Sequence, residues 1–390
     1  MHPPIIRIKT FTVLSGLLMT VLLAIALSAC KQESNNGKKI ADIPIGLYAS
    51  LTGAEASYGV DSLHAIQLAV DEINSHGGLL GGHQIQLIVR DNQSKAGESS
   101  LIARELIHRN HVIALLGEVA GGRSLEAAPI AQKAEVPMIS SSTVARVTQI
   151  GNYIFRTAFI DEFQGKVMAK FMRSLGIRRV AILSDTSTDY SIGLAKSFAH
   201  EFVTGGGQII AQQSFSEGDK DFNAQLTALK AANPEAIFLP TYYTYAGAII
   251  SQARQIGLNA PFTGADGFDS RGLLKIGGKA VEGVYFVSHF TSDNQNPTVQ
   301  NFVKAYSQKY GDLPSSLAAL AYDSMKLLAD AIERAKSVET TKIQAALENT
   351  KNFPGVTGTI TFDENRNPQK SAVIIRVQNG KFTYLETVSL

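Results

Sequence analysis

Apolar positions along this chain recur with two alternating periods. Ile43-Pro44-Ile45-Gly46-Leu47-Tyr48 is a short apolar run of strand type, and from about Tyr58 to His76 the apolar residues Val60, Leu63, Ile66, Val70 and Ile73 fall at helical spacing until Gly77-Gly78 stops them. The pattern repeats with strands at 85–89, 112–116, 136–139 and 153–157 and helices around 99–109, 124–134 and 162–175. It continues through strand 179–183, helix 193–203, strand 208–214, helix 222–231, strand 236–240, helix 246–255 and strand 260–263. Alternation of this kind predicts an α/β fold with parallel sheets covered on both faces by helices. The strands are too many for one sheet, so two doubly wound α/β lobes are expected. Ligands of such sheets bind at the carboxyl ends of the strands, and function is sought in the loops there.

The first thirty residues follow a different pattern. Arg7 and Lys9 precede a mostly apolar stretch from Phe11 to Leu27, and the small residues Ser28-Ala29 follow. These are the three parts of an export signal, expected over 1–29. The stretch is short for a membrane span, and no later segment is long and apolar enough to be one. The only cysteine, Cys30, stands directly after the expected cut. Leu27-Ser28-Ala29-Cys30 resembles the bacterial lipoprotein box, which implies lipidation of Cys30; the alternative is a chance cysteine in an apolar segment. Residues 30–42 are polar and without periodicity, as in a flexible tether.

Export changes the charge balance. The chain has 36 basic and 34 acidic residues, and Arg7 and Lys9 leave with the signal, so 34 of each sign remain. A neutral, mixed surface argues against nucleic acid as partner. With no second cysteine there is no disulfide, and roughly 350 residues must be held by ordinary cores, with two domains the expectation. No Gly-x-Ser-x-Gly, phosphate loop, His-Glu-x-x-His or Cys-x-x-Cys is present. Gly272 to Lys279 (GLLKIGGK) only approximates a phosphate loop, its lysine one residue late, and is expected to be loop. His108 and His111 have helical spacing but no third ligand in view, so no metal, no cofactor and no catalytic residue is expected.

Several segments together resemble the periplasmic leucine/isoleucine/valine-binding protein family. They are Ile45-Gly46 to Thr52-Gly53, Tyr58-Gly59, Ala69 to Gly82 (AVDEINSHGGLLGG), Arg90-Asp91-Asn92 and Val136-Pro137-Met138-Ile139-Ser140. Ser187 to Leu194 (STDYSIGL), Gly218 to Phe222 (GDKDF) and Gln252-Ala253-Arg254 continue the match across the mature chain. The resemblance implies a type I periplasmic binding protein fold: a solute receptor of an ABC importer, with two lobes joined by three crossings and closing over the ligand. The first lobe would comprise 42–160 plus 290–367, and the second 161–289 plus 368–390. It further implies a monomer, an amino acid as ligand and an inner-membrane ABC permease as partner.

Individual residues suit that role. Gly121-Gly122, just before the helix expected at Ser124, expose backbone N–H groups at a helix N-terminus, which suits a carboxylate; the plainer alternative is loop glycine. Ser141-Ser142-Thr143 offer hydroxyl donors or helix caps. By resemblance Tyr58 lies over the ligand, Tyr190 and Tyr242 form its aromatic walls, and Asp266 pairs with its ammonium group, where sequence alone gives a turn aspartate beside Gly267. The chain departs from the family at Gly121-Gly122-Arg123 and at Val144. Arg123 either faces solvent or binds a second anionic group, which would suit a dicarboxylic or aromatic acid. Two other functions stay open: a sensor module on the same fold, and an exported enzyme using Asp161, Glu162 and Asp266. Lys31 after Cys30 permits, by resemblance to proteobacterial lipoproteins, an outer-membrane location.

Overall fold

Two parallel sheets, each fed by strand–helix alternation, organise the chain in a computed structural model that describes residues 41–389 together with Met1 and Pro4. The expected signal, Cys30 and the tether before residue 41 lie outside the described residues. Residues 42–390 form one compact unit. Its elements run β1 (Ile43–Ala49), α1 (Ala56–Ser75), β2 (Ile85–Asp91), α2 (Glu98–His108), β3 (Ala114–Leu116), α3 (Gly121–Lys133), β4 (Met138–Ser140), α4 (Arg146–Gln149) and β5 (Ile154–Arg156). After them come α5 (Asp161–Ser174), β6 (Arg179–Asp185), α6 (Asp189–Thr204), β7 (Gln208–Phe215), α7 (Asn223–Ala232), β8 (Ala236–Phe238), α8 (Tyr243–Gln255), β9 (Phe262–Gly264), α9 (Arg271–Gly277) and β10 (Tyr285–Ser288). The chain ends with α10 (Pro297–Tyr310), α11 (Ser316–Ala335), α12 (Thr340–Glu348), β11 (Phe353–Gly355), β12 (Gly358–Ile360), β13 (Ala372–Gln378) and β14 (Lys381–Val388).

The first sheet has the order β2-β1-β3-β4-β5 and is parallel throughout, with Ile43 opposite Ile85 and Ile45 opposite Ala114. The second has the order β14-β13-β10-β9-β8-β6-β7; it is parallel except where β13 and β14 add antiparallel strands at one edge. Strands buried on both faces need continuous apolar runs. Ala114-Leu115-Leu116 and Val180-Ala181-Ile182-Leu183 supply them, all buried. Leu63 and Ile73 of the predicted stripe pack α1 on the first sheet's core, which α10 and α11 complete with Phe302, Met325 and Leu328. The chain therefore passes between the sheets three times, after β5, after β10 and between β12 and β13.

One expectation fails. Gly272 to Lys279 is helix α9 followed by a 3-10 turn, not loop. Ser270 caps it, its hydroxyl accepting from the Gly272 N–H at 2.9 Å, and Leu273 is buried on the second core, so the apolar residues read as loop are anchors. Among the described residues no helix is long and apolar enough to cross a membrane.

Candidate functional site

The site is assembled at the carboxyl ends of strands, as parallel sheets dictate. From the first sheet, β3 leads into α3 and β4 into Ser141-Ser142-Thr143; from the second, β6 leads to Tyr190, β8 to Tyr242 and β9 to Asp266. Helix α3 starts at Gly121, three residues earlier than the periodicity indicated, with Ala120 at the cap position and no hydrogen bond from that residue's side chain. The cap residue thus supplies no acceptor to the leading N–H groups. A Cβ on Gly121 would lie 2.2 Å from Val144 Cγ2, whereas Gly122 has open space around it. The Tyr242 hydroxyl lies against the Gly121 N–H.

Asp266 is buried, 4% exposed, and held from three sides. Its Oδ1 accepts from Gln164 Nε2 at 3.0 Å and from the Tyr190 hydroxyl at 2.8 Å; its Oδ2 lies 3.1 Å from His289 Nε2. The backbone closes the same network, the Asp266 N–H donating to Gln164 Oε1 at 3.0 Å and the Gly267 N–H to the Tyr190 hydroxyl at 2.8 Å. Burial lowers the pKa of His289, so the imidazole is neutral and gives Asp266 a hydrogen bond rather than a counter-charge. No lysine or arginine pairs with this carboxylate among the described residues.

Aromatic rings close the other sides. Tyr58 stands edge-on to Tyr242 at 5.8 Å, Tyr190 stacks on Tyr242 at 4.9 Å, and the Tyr58 hydroxyl donates to the Gly267 carbonyl. Since Tyr58 belongs to α1 and Gly267 follows β9, that bond joins the two sheets' loops across the cleft. Burial raises the pKa of all three phenols, which stay neutral donors. Thr143 bonds Asp161, whose carboxyl is pushed well up by burial, with the nearby Asp266 charge acting in the same sense. Ser141 and Ser142 are buried beside it, and Ser142 Oγ accepts from the Val144 N–H at 3.2 Å.

Most of the residues singled out from sequence are therefore neighbours. Arg123 is engaged elsewhere: it lies 3.8 Å from both Glu55 and Glu126 and donates to the Ser94 carbonyl. His289 and Gln164 escaped sequence analysis. The only sign of His289 was a polar residue directly after the apolar strand Tyr285–Ser288, where strand-end logic would look. Among the described residues no group of His, Cys, Asp and Glu is placed to hold a metal ion.

Two α/β lobes meeting over a cleft lined by tyrosines, hydroxyls and one buried carboxylate define a solute-binding protein. The sequence pattern of the periplasmic binding protein family matches residues 42–381, and the chain belongs to that family. It is a receptor of the ABC-transporter type and not an enzyme, and the family works outside the cytoplasm. Among similar proteins is the leucine-, isoleucine-, valine-, threonine- and alanine-binding protein of Pseudomonas aeruginosa, 29% identical over 326 residues, covering 83% of this chain and 86% of that one. The crystal structure of the leucine-binding protein LivK from Thermotoga maritima matches with a TM-score of 0.85 and 38% identity, covering 89% of this chain and 99% of that one. The branched-chain amino acid transporter substrate-binding protein LivJ of Streptococcus pneumoniae, in complex with isoleucine, matches with a TM-score of 0.85 and 36% identity, covering 89% and 99%.

Proposed function

We propose that this protein is a lipid-anchored receptor that binds a branched-chain or related small amino acid and delivers it to an ABC permease in the inner membrane. The observation that carries this reading is the buried Asp266 carboxylate, which has hydrogen-bond donors but no cationic side chain of its own among the described residues. An ammonium group supplies the missing charge. The ligand's carboxylate meets the N–H groups of Gly121 and Gly122 and the hydroxyls of Ser141, Ser142 and Thr143, while Tyr58, Tyr190 and Tyr242 bury its side chain. The lobes that close are 42–160 plus 290–367 and 161–289 plus 368–390, and the receptor acts as a monomer. Similarity to receptors of leucine, isoleucine and valine supports the ligand class. A dicarboxylic or aromatic acid would call on Arg123, which already has Glu126 as its ion-pair partner.

A thermal-shift screen against amino acids, dicarboxylates and aromatic acids tests the reading, because a ligand that binds only the folded state raises the melting temperature. Leucine, isoleucine or valine should give the largest rise; a rise with benzoate or succinate alone removes the amino-acid reading. Anchoring rests on Cys30, with Lys31 permitting the outer membrane. Cys30→Ala should move the protein from the membrane to the soluble fraction without changing affinity.

A further inference from the structure

Arg156, the last residue of β5, is fully buried and packs against the loop that carries Ser141, Ser142 and Thr143. Its Nη1 donates to the Ser142 carbonyl at 2.9 Å. Its Nη2 donates to the carbonyls of Val144 at 2.8 Å and Ala145 at 3.0 Å and to the Thr148 hydroxyl at 3.3 Å. The remaining carbonyl of the turn, that of Thr143, accepts from the Asp161 N–H at 2.9 Å. Every carbonyl from Ser142 to Ala145 therefore has a donor from a buried residue. In a trans peptide the carbonyl and the N–H that follows it point opposite ways, so the Thr143 N–H is turned away from the guanidinium.

A whole positive charge stands here against uncharged oxygens. The acceptors of Arg156 are backbone carbonyls and one hydroxyl, and its buried Nε has no partner among the described residues. Burial lowers Arg156 to about 10, with Asp161, Glu162 and Asp363 opposing the fall, so the guanidinium stays charged at neutral pH. Asp161 is itself pushed well up by burial, so it offsets that charge weakly. A buried charge held only by dipoles is unfavourable unless an opposite charge comes near.

We infer, taking the cleft as the amino-acid site proposed above, that Arg156 is the residue that makes the 141–145 loop select a carboxylate. It does so without touching the ligand, as a positioning residue. Its planar fork holds the hydroxyl-bearing turn in one shape, and its charge lies on the opposite face of that turn from the ligand's carboxylate. The N–H groups and hydroxyls of the loop are neutral donors, which serve an alcohol or amide oxygen as readily as a carboxylate. The buried cation behind them distinguishes the ionised group from the neutral ones. A zwitterion is then held between two fixed charges, Arg156 beyond one loop and Asp266 at the other.

L-isoleucine and L-isoleucinol test this role, since the alcohol keeps the ammonium group and the side chain and lacks the carboxylate. Calorimetry near pH 6 gives both affinities, isoleucine directly and isoleucinol by competition with it, for wild type, Arg156→Gln and Arg156→Lys. Arg156→Gln keeps an amide donor for the loop and removes the charge; it should cut the preference for isoleucine by about tenfold or more. Arg156→Lys keeps the charge and loses the fork, so both affinities should fall while the preference stays within about threefold of wild type. Equal losses for the two ligands in Arg156→Gln would mean that the arginine only shapes the loop, and would overturn the proposal. A preference in Arg156→Lys as low as in Arg156→Gln would do the same. If Arg156→Gln does not fold, the pH profile of Arg156→Lys decides. A buried lysine loses its proton at lower pH than an arginine, so its preference should drop away from the wild-type value between about pH 6 and 9; a parallel profile overturns the proposal. Wild type that binds neither ligand removes the amino-acid reading and the role of Arg156 with it, an outcome distinct from any in which isoleucine binds.

Discussion

The Tyr190 hydroxyl stands between two groups of one turn, donating to Asp266 Oδ1 and accepting from the Gly267 N–H, both at 2.8 Å. A single phenol thereby fixes the direction of the carboxylate and satisfies the amide next to it. Tyr190→Phe leaves a buried N–H without an acceptor, which costs about 1–3 kcal/mol. Thermal or urea unfolding should show that loss, and calorimetry should show roughly tenfold weaker amino-acid binding, because Asp266 is free to turn. Unchanged stability would mean that the turn is held by Gln164 alone.

Asp266→Asn separates charge from shape. An asparagine there keeps an oxygen for Gln164 and Tyr190, and His289 can switch tautomer to accept from the new amide, so the fold survives. What disappears is the counter-charge to the ligand's ammonium. Truncating one partner of a buried charge pair costs about 2–5 kcal/mol, so affinity should fall by roughly a hundredfold or more. Calorimetric affinity within about threefold of wild type would take Asp266 out of the site.

The alternation of strands and helices was legible from Ile43 to Thr263 because parallel strands buried on both faces and amphipathic helices have distinct periods. It misled at Leu273, where three apolar residues and a lysine flanked by glycines fit a loop as well as a short helix, and Ser270 as a cap decides for the helix. The start of α3 was placed late because Gly121 and Gly122 have poor helix propensity, while packing against Val144 overrides it. At the site, Tyr58, Tyr190, Tyr242 and Asp266 were nameable only through resemblance, since nothing in their local spacing distinguishes them from other loop residues. His289 and Gln164 were invisible for a further reason: they act on Asp266 across 23 and 102 residues of chain.

Gly121 and Gly122 should respond differently to the same substitution. Gly121→Ala drives a Cβ into Val144, and overpacking of that kind costs about 1–3 kcal/mol. It also displaces the leading N–H of α3, so stability and affinity should both fall. Gly122→Ala meets nothing within 4 Å and should leave the melting temperature almost unchanged. Val144→Ala in the Gly121→Ala background should recover part of the loss. Equal damage from both alanines would show that packing against Val144 does not set the cost at this turn.

Glu55 makes the stability of this protein fall as pH rises from about 4.5 to about 7. The Ser50 hydroxyl has acceptor oxygens of Asn92 at 2.8 Å, Glu118 at 3.1 Å and Glu55 at 3.3 Å around it, and its single hydrogen can serve only one of them. A carboxyl proton relieves the crowding. Burial, then the Glu118 charge, raises Glu55 to about 7 against a partial offset from Arg123. A carboxyl raised on folding favours the protonated state, so its contribution is intact below the unfolded value near 4.5 and is lost as pH rises toward 7. Above that, the folded protein carries a buried charge it would rather neutralise, at a cost of up to about 3 kcal/mol. Glu55→Gln should therefore raise the melting temperature at pH 8 relative to wild type and have little effect at pH 4.5, while Arg123 keeps Glu126 as its partner. Melting curves of both proteins across that interval check the sign: a variant that loses stability most at pH 8 would show that Glu55 is ionised there and stabilising through Arg123.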